Sequence, residues 1–327
     1  MPDVICLGEL LIDFCATVRD VSVGEAPGFA KAPGGAPANV AVAVVRSGAS
    51  AGFIGAVGRD PFGDFLAGVL AAEGVDTAGL VRPEGVKTPL AFVAVRSDGT
   101  GDFLFYHDAG LAPRKAEWID PAYVASAAAL HFGSISRIEP DARAATDKAR
   151  RIAADAGMLI SYDPNYRPRL WPEAPAARDR IREGFAGTTV AKVSAEEWAF
   201  ILGTDDFGRG AEELLGMGVE LVIRSEGGRG ASFATAAASG HVDAFDVQPV
   251  EFTGAGDAFT GSILADLVAL RKRGAAPGGL TREDLTGLIR RANATGALTT
   301  TRPGAIPALP TRPRVEAFMA DRGAAGR

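Results

Sequence analysis

The spacing of apolar and polar positions changes repeatedly along the chain. Continuous apolar runs recur as VICLGEL from residue 4, AGFIGAVG from 51, ALHFGSI from 129, MLISYD from 158 and VELVIRS from 219. Such runs predict strands buried on both faces. Between them lie helical stretches: ANVAVAVVRSG with its glycine stop, PDARAATDKARRIAADAG closing at Gly157, and GAEELLGMG. This strand–helix rhythm predicts a doubly wound, mostly parallel α/β sheet with helices on both faces. Two segments break it. Residues 88–107 read as two strands around a Ser97-Asp98-Gly99 turn, a β-hairpin, and residues 14–33 read as short strands and loops. Together they predict a small sheet set against the main body. The expected division is therefore a large domain from 1–12, 34–87 and 108–327, and a small β unit from 13–33 and 88–107.

Composition narrows the function. The net charge is -6 and the pI about 5.3, which argues against a nucleic-acid partner. The two cysteines, Cys6 and Cys15, are too few for a disulfide scaffold and read as buried small hydrophobes. The N-terminal MPDVICLGELLIDF lacks a basic region and a cleavage site, so it reads as a strand. No apolar run reaches the ~20 residues of a membrane span. A soluble, cytoplasmic protein with no membrane partner is the expectation.

The segment EFTGAGDAFTGSIL, from Glu251, places Gly254, Ala255, Gly256 and Asp257 ahead of a helix carrying Phe259, Ile263, Leu264, Leu267 and Val268. A helix start presents unpaired N–H groups and a partial positive charge, and glycines let an anion approach them. Asp257 then makes sense facing a reaction partner, where it can accept a hydroxyl proton. The helix N-terminus is expected to keep it ionised and a weak base. The plainer reading is a tight turn with Asp257 as a cap. A second glycine pair, Gly34 and Gly35, precedes Asn39 near another helix start, and Asp13 is expected at the end of the first strand. Ligands in open α/β sheets sit beyond the carboxyl ends of the strands. There, Asp13 and Asn39 offer groups that bind polyol hydroxyls, or they are a loop acid and a capping amide.

The stretches PGGAPANVAVAVVRSGASAGFIGAVGRDPFGDFL and TGAGDAFTGSIL resemble the two signatures of the ribokinase-like (PfkB) carbohydrate kinases. GELLIDF, SYDPNYRPRLWP and ANATGALTTTRPGAIPALP extend the likeness along the whole chain. It is strongest to the fructokinases of that family. The resemblance implies ATP-dependent phosphorylation of a sugar, D-fructose at its 6-hydroxyl, under a small β-sheet lid that in this family often pairs across a homodimer. It makes Asp257 the catalytic base and Gly254, Ala255 and Gly256 the cradle for the transferring phosphoryl group. Asp13, Gly34, Gly35 and Asn39 line the sugar site, with Arg167 of YDPNYR, beside Asp163 and Asn165, meeting sugar or phosphate oxygens. Ser225, Glu226 and Gly227 touch the nucleotide with Gly254 and Gly256, and Asn293 lies near the base. Glu197 of KVSAEEW organises Mg2+ through water; taken alone it would be a solvated helix charge. Ser194 stands where Asn is common. Glu251-Phe252-Thr253 replaces the usual Asp-Thr-Thr, which bears on K+ as a further cofactor. His107 stands where related kinases often show arginine. Kinases for 2-keto-3-deoxygluconate, ribose or a nucleoside, or a weakened sugar-binding homologue, are the alternatives. A nicotinamide enzyme would need more glycines after the first strand than Gly8.

Overall fold

A computed structural model describes residues 1–96, 101–106 and 115–324. The 97–99 turn and His107 lie outside the described residues. Among the described residues, thirteen strands fall into two sheets. The large one takes β1 (Val4–Leu7), β4 (Ala51–Ala56), β5 (Asp76–Val81), β8 (Ala129–Phe132), β9 (Leu159–Tyr162), β10 (Val190–Ser194), β11 (Leu221–Ser225), β12 (Ala231–Ala234) and β13 (Ser239–Val242). Its order is β13-β12-β11-β10-β9-β8-β1-β4-β5. All neighbours are parallel except β12 and β13, which add antiparallel at one edge. The small sheet runs β3-β2-β6-β7, from β2 (Leu11–Ala16), β3 (Phe29–Gly34), β6 (Leu90–Val95) and β7 (Gly101–Tyr106).

The α-helices, in chain order, are α1 (Ala36–Arg46), α2 (Pro61–Ala72), α3 (Pro121–Ala125), α4 (Pro140–Asp155), α5 (Ala174–Glu183), α6 (Ala195–Leu202), α7 (Phe207–Gly216), α8 (Ala255–Arg271), α9 (Arg282–Thr300) and α10 (Arg312–Ala324). They cover the large sheet on both sides. Val4 and Cys6 of β1 join a core with residues of α1, α8 and α9, while Ile5 and Leu7 join a second core with residues of α4 to α7. This two-sided burial is why the strands read as unbroken apolar runs rather than alternating ones.

The chain order reverses across β1. From β1 it runs outward to β4 and β5, then returns on the other side through β8 to β11. The carboxyl ends of β1 and β8 therefore flank a topological switch point, the usual ligand crevice of such sheets. One expectation changes here. Asp13 does not end the first strand: β1 stops at Leu7, and Asp13 lies within β2 of the small sheet, paired with Ala32 of β3. Gly8 lets the chain turn out of the large sheet, since a Cβ there would lie 2.5 Å from Pro37 Cγ. β2 thus begins at Leu11, two residues ahead of the anticipated small unit. Phe14 and Phe92 stack across the small sheet at 5.0 Å, and Phe14 meets Phe62 of α2 edge-on at 5.7 Å. These contacts seat one face of the sheet on the large domain.

Candidate active site

Two helix N-termini converge at the switch point. Helix α1 starts after Gly34 and Gly35, with Pro37 in its first turn, where its missing N–H costs nothing. Gly35 has φ 112°, and a Cβ there would lie 2.4 Å from the Glu9 carbonyl oxygen. Helix α8 starts at Gly254, whose φ of 80° places it in the left-handed region. A Cβ on Gly254 would lie 2.9 Å from Ala305 Cβ. The helices pack closely: a Cβ on Gly261 would fall 2.4 Å from Ala43 Cβ. That approach brings Asn39 of α1 to Asp257 of α8, where Nδ2 donates to Oδ2 at 2.8 Å. Asn165 donates weakly to the other carboxylate oxygen at 3.4 Å.

Asp257 is 8% exposed. Burial pushes its carboxyl up to about 6, with Asp163 adding to the rise, against the Asn39 hydrogen bond and the charges of Arg167 and Lys192. It remains chiefly ionised at neutral pH. Burial therefore makes it a stronger base than a helix N-terminus alone would, and beside a sugar hydroxyl it is still a weak one.

Asp163, Asn165 and Arg167 arrive on the segment after β9. Asn165 has φ 45°, a left-handed conformation that Asn tolerates better than most residues, and its N–H donates to Asp163 Oδ1. Asp163 is buried, accepts from Thr260 Oγ1 at 3.2 Å, and forms an ion pair with Lys192 Nζ at 3.0 Å. Lys192 comes from the middle of β10. Burial lowers its basicity, but Asp163, Glu197 and Asp257 outweigh that and hold it above the ordinary lysine value. Its ammonium sits under the α8 N-terminus: a Cβ added to Gly256 would be 3.3 Å from Lys192 Nζ. The exposed Arg167 interacts electrostatically with Asp257, Asp13 and Glu9.

Asp13 faces this group from the small sheet. Burial pushes its carboxyl up to about 6, opposed by Arg167 and reinforced by Glu251. A Cβ on Gly34 would overlap Asp13 Oδ2 at 2.1 Å, so Gly34 is what lets this carboxylate hold its place. Gly34→Ala is expected to displace Asp13 and raise the sugar KM at least tenfold while the ATP KM moves little; initial-rate kinetics with each substrate varied check it.

Glu197 is buried, not a solvated helix charge. With Ser194 it forms a capping box at the start of α6: Oε2 accepts from Ser194 N and Oγ, and Oε1 accepts from Tyr166 N. Serine caps a helix as well as asparagine, so Ser194 preserves the helix start. Tyr166 stacks on Phe200 of α6 at 4.5 Å, and these contacts fix the 163–167 segment. Three acceptor positions of Glu197 are thus in use, of the roughly four that a carboxylate offers. The fourth, on Oε1, suits one water of a hydrated cation. Among the described residues, no three His, Cys, Asp or Glu side chains converge into a metal cage. A Mg2+ carried mainly by substrate phosphates and waters needs none.

The remaining expected residues lie farther along the carboxyl edge. Ser225 ends β11, and Gly227 follows with φ 58°. Glu226 does not present a free carboxylate. It is held by Arg224 at 3.0 Å and Ser232 Oγ at 2.7 Å, which keep its carboxyl below the usual range despite burial. Asn293 of α9 donates to the carbonyls of Val242 and Asp243, so its NH2 anchors the end of β13 and leaves only Oδ1 for a nucleotide. Glu251 Oε2 accepts from Gly304 N at 2.9 Å.

A carboxylate at a glycine-lined helix start, with a buried lysine beneath and a second carboxylate facing it, is suited to moving a proton from a hydroxyl onto Asp257 while a phosphoryl group is held. Residues 1–312 match the family model of the pfkB family carbohydrate kinases. The chain belongs to that family. This carbohydrate kinase is 42% identical to fructokinase-1 of Zea mays over 315 residues, covering 95% of the chain and 96% of the relative. It is also 42% identical to fructokinase-2 of Solanum lycopersicum over 317 residues, 94% and 93% respectively. The crystal structure of a fructokinase with bound ATP from Xylella fastidiosa superimposes with a TM-score of 0.88 at 33% identity, covering 99% of this chain and all of that one. The carbohydrate kinase is thus a phosphotransferase acting on a sugar hydroxyl.

Sequence reasoning missed Lys192 and Glu9. Each left a signal: a lone lysine inside the apolar strand AKVS, and an acid directly after the first buried strand. Neither signal names a partner, and only the three-dimensional juxtaposition does.

Proposed function

We propose that this kinase transfers the γ-phosphoryl group of ATP to the 6-hydroxyl of D-fructose, with Asp257 as general base. The observation that carries the reading is the Asn39–Asp257 hydrogen bond, which joins the Gly34-Gly35 helix start to the Gly254–Gly256 helix start in one site. The near full-length likeness to plant fructokinases supports fructose among the sugars. In this reading Asp13, Asn39 and Arg167 hold the sugar, with Gly34 and Gly35 admitting the small sheet close to it. Asn39 orients the Asp257 carboxylate so that one oxygen stays available to the attacking hydroxyl. The N–H groups after Gly254 and the Lys192 ammonium stabilise charge on the transferring phosphoryl group. Ser225, Gly227 and Asn293 Oδ1 lie along the nucleotide path, with Glu226 shaping the turn. Mg2+ supplies charge neutralisation on the phosphates, and Glu197 Oε1 would hold it through water. The small sheet acts as the lid that excludes water.

The test is an ATP-coupled rate assay over fructose, ribose, 2-keto-3-deoxygluconate, glucose and adenosine, with and without K+. Fructose should give the highest kcat/KM; a tenfold preference for another acceptor would replace it. Strand β7 is a sheet edge exposing Phe103, Leu104 and Tyr106. An apolar edge of this kind is a template for strand pairing, so we place a homodimer contact there. Light scattering should give a dimer mass that Leu104→Lys reduces; an unchanged mass would remove this contact.

A further inference from the structure

A small cavity opens among the carboxyl ends of β1, β8 and β9, lined by Glu9, His131, Ser134, Asp163, Asn165 and Asp257 among others. Its volume of about 10 Å³ is close to the roughly 10–15 Å³ that one water requires. Glu9 is only 3% exposed. Its Oε1 accepts from Ala36 N at the start of α1 at 3.0 Å, but Oε2 has no hydrogen-bond partner in the protein. Ser134 is fully buried, and its Oγ is also unpartnered. Buried polar atoms left unsatisfied are rare and costly. Two of them on one cavity of this size, with the catalytic carboxylate on the same wall, make a built site for a single water.

We propose that one bound water in this cavity links Glu9 to Asp257, and that Glu9 receives through it the proton Asp257 takes from the sugar hydroxyl. The inference rests on Asp257 as the base. As the sugar oxygen bonds to phosphorus, its O–H bond breaks and the proton goes to Asp257. Asp257 then protonates the water, and the water passes one of its own protons to Glu9 Oε2. Asp257 is left as a carboxylate and Glu9 as a neutral acid, which releases its proton to solvent before the next turnover. Charge and atoms balance without a further reactant.

The surroundings suit a proton shared between these two carboxyls. Burial and then the Asp257 charge push Glu9 up to about 7, against Arg167, while Asp257 lies at about 6. The two raised carboxyls are matched closely enough for a proton to pass from one to the other through a single water. His131, which also lines the cavity, is pushed down to about 4 by burial and stays neutral. Lys192 is charged and paired with Asp163, so neither competes as an acceptor. The plainer role for Glu9 is to clamp the α1 N-terminus. Glu9→Gln separates the two, because the amide oxygen can still accept from Ala36 N while the proton acceptor is lost.

Wild-type kcat/KM should fall on the acid side with a two-proton dependence. Glu9→Gln should reduce that to one proton and lower kcat at pH 7 about tenfold, with both KM values within twofold. An acid limb as steep in Glu9→Gln as in wild type would overturn the proposal. So would a high-resolution crystal structure of the unaltered protein with no ordered water within hydrogen-bond distance of Glu9 Oε2. Asp257→Asn separates the two readings: if it abolishes turnover while Glu9→Gln changes nothing, only the Glu9 relay fails.

Discussion

Replacing Asp257 with asparagine should lower kcat by about 10²- to 10⁴-fold, the usual range for a positioned general base, with the sugar KM nearly unchanged. The substitution keeps the shape of the side chain. Its amide oxygen can accept from Asn39 Nδ2 in place of the carboxylate oxygen, so Asn39 keeps its position. The helix start, the glycine cradle and Lys192 stay in place, and the loss falls on the proton-transfer step. The same variant should be more stable than wild type at neutral pH. Asp257 has a carboxyl raised to about 6 by burial, against about 3.9 in an unfolded chain. The native state therefore binds this proton more tightly than the unfolded state. The stability linked to it is fully present below about pH 4 and lost as pH rises through about 6. At pH 7 the ionised form costs about 3 kcal/mol. Urea midpoints at pH 7 and pH 5 should show the variant ahead at pH 7 and the gap narrowing at pH 5. Near-normal turnover in the variant would remove Asp257 as the base.

That cost explains which parts of the site could be read from sequence. Residues that serve the fold obey local rules. The parallel strands announce themselves because both faces are buried, and the start of α8 because Gly254 needs a positive φ. The β6–β7 pair is visible as two apolar runs at hairpin spacing. Residues that act through distant partners follow no local rule. Asp13 seemed to end a strand because GELLIDF runs on without an apolar break, whereas the chain turns out at Gly8 and starts a second sheet at Leu11. Glu226 and Asn293 fit a nucleotide site by position along the chain. Their side chains are occupied by Arg224 and Ser232, and by the carbonyls of Val242 and Asp243. Glu197 shows the opposite case: a pair of helix acids looks solvated in sequence, yet one of them closes a capping box and holds the segment that carries Asp163, Asn165 and Arg167.

Lys192→Met is expected to be the most damaging single change to the site as a whole. The methionine keeps most of the apolar stem and removes the ammonium, which leaves Asp163 buried and unpaired. Breaking a buried ion pair in this way costs about 3–5 kcal/mol, a large share of the roughly 5–15 kcal/mol typical of a folded domain. Lys192 is held above its ordinary value, so its contribution is present throughout the physiological range and is lost only as pH rises through that elevated value. Adding Asp163→Asn removes the stranded charge, and the double variant should recover most of the lost stability as read by urea unfolding. Turnover should not return with it. The ammonium beneath Gly256 is the buried positive charge beside the cradle, and no neutral pair can stabilise the charge that gathers on the phosphoryl oxygens during transfer. A double variant that regained both stability and kcat would make the Lys192–Asp163 pair a structural clamp and leave the helix N–H groups to stabilise the transferring group.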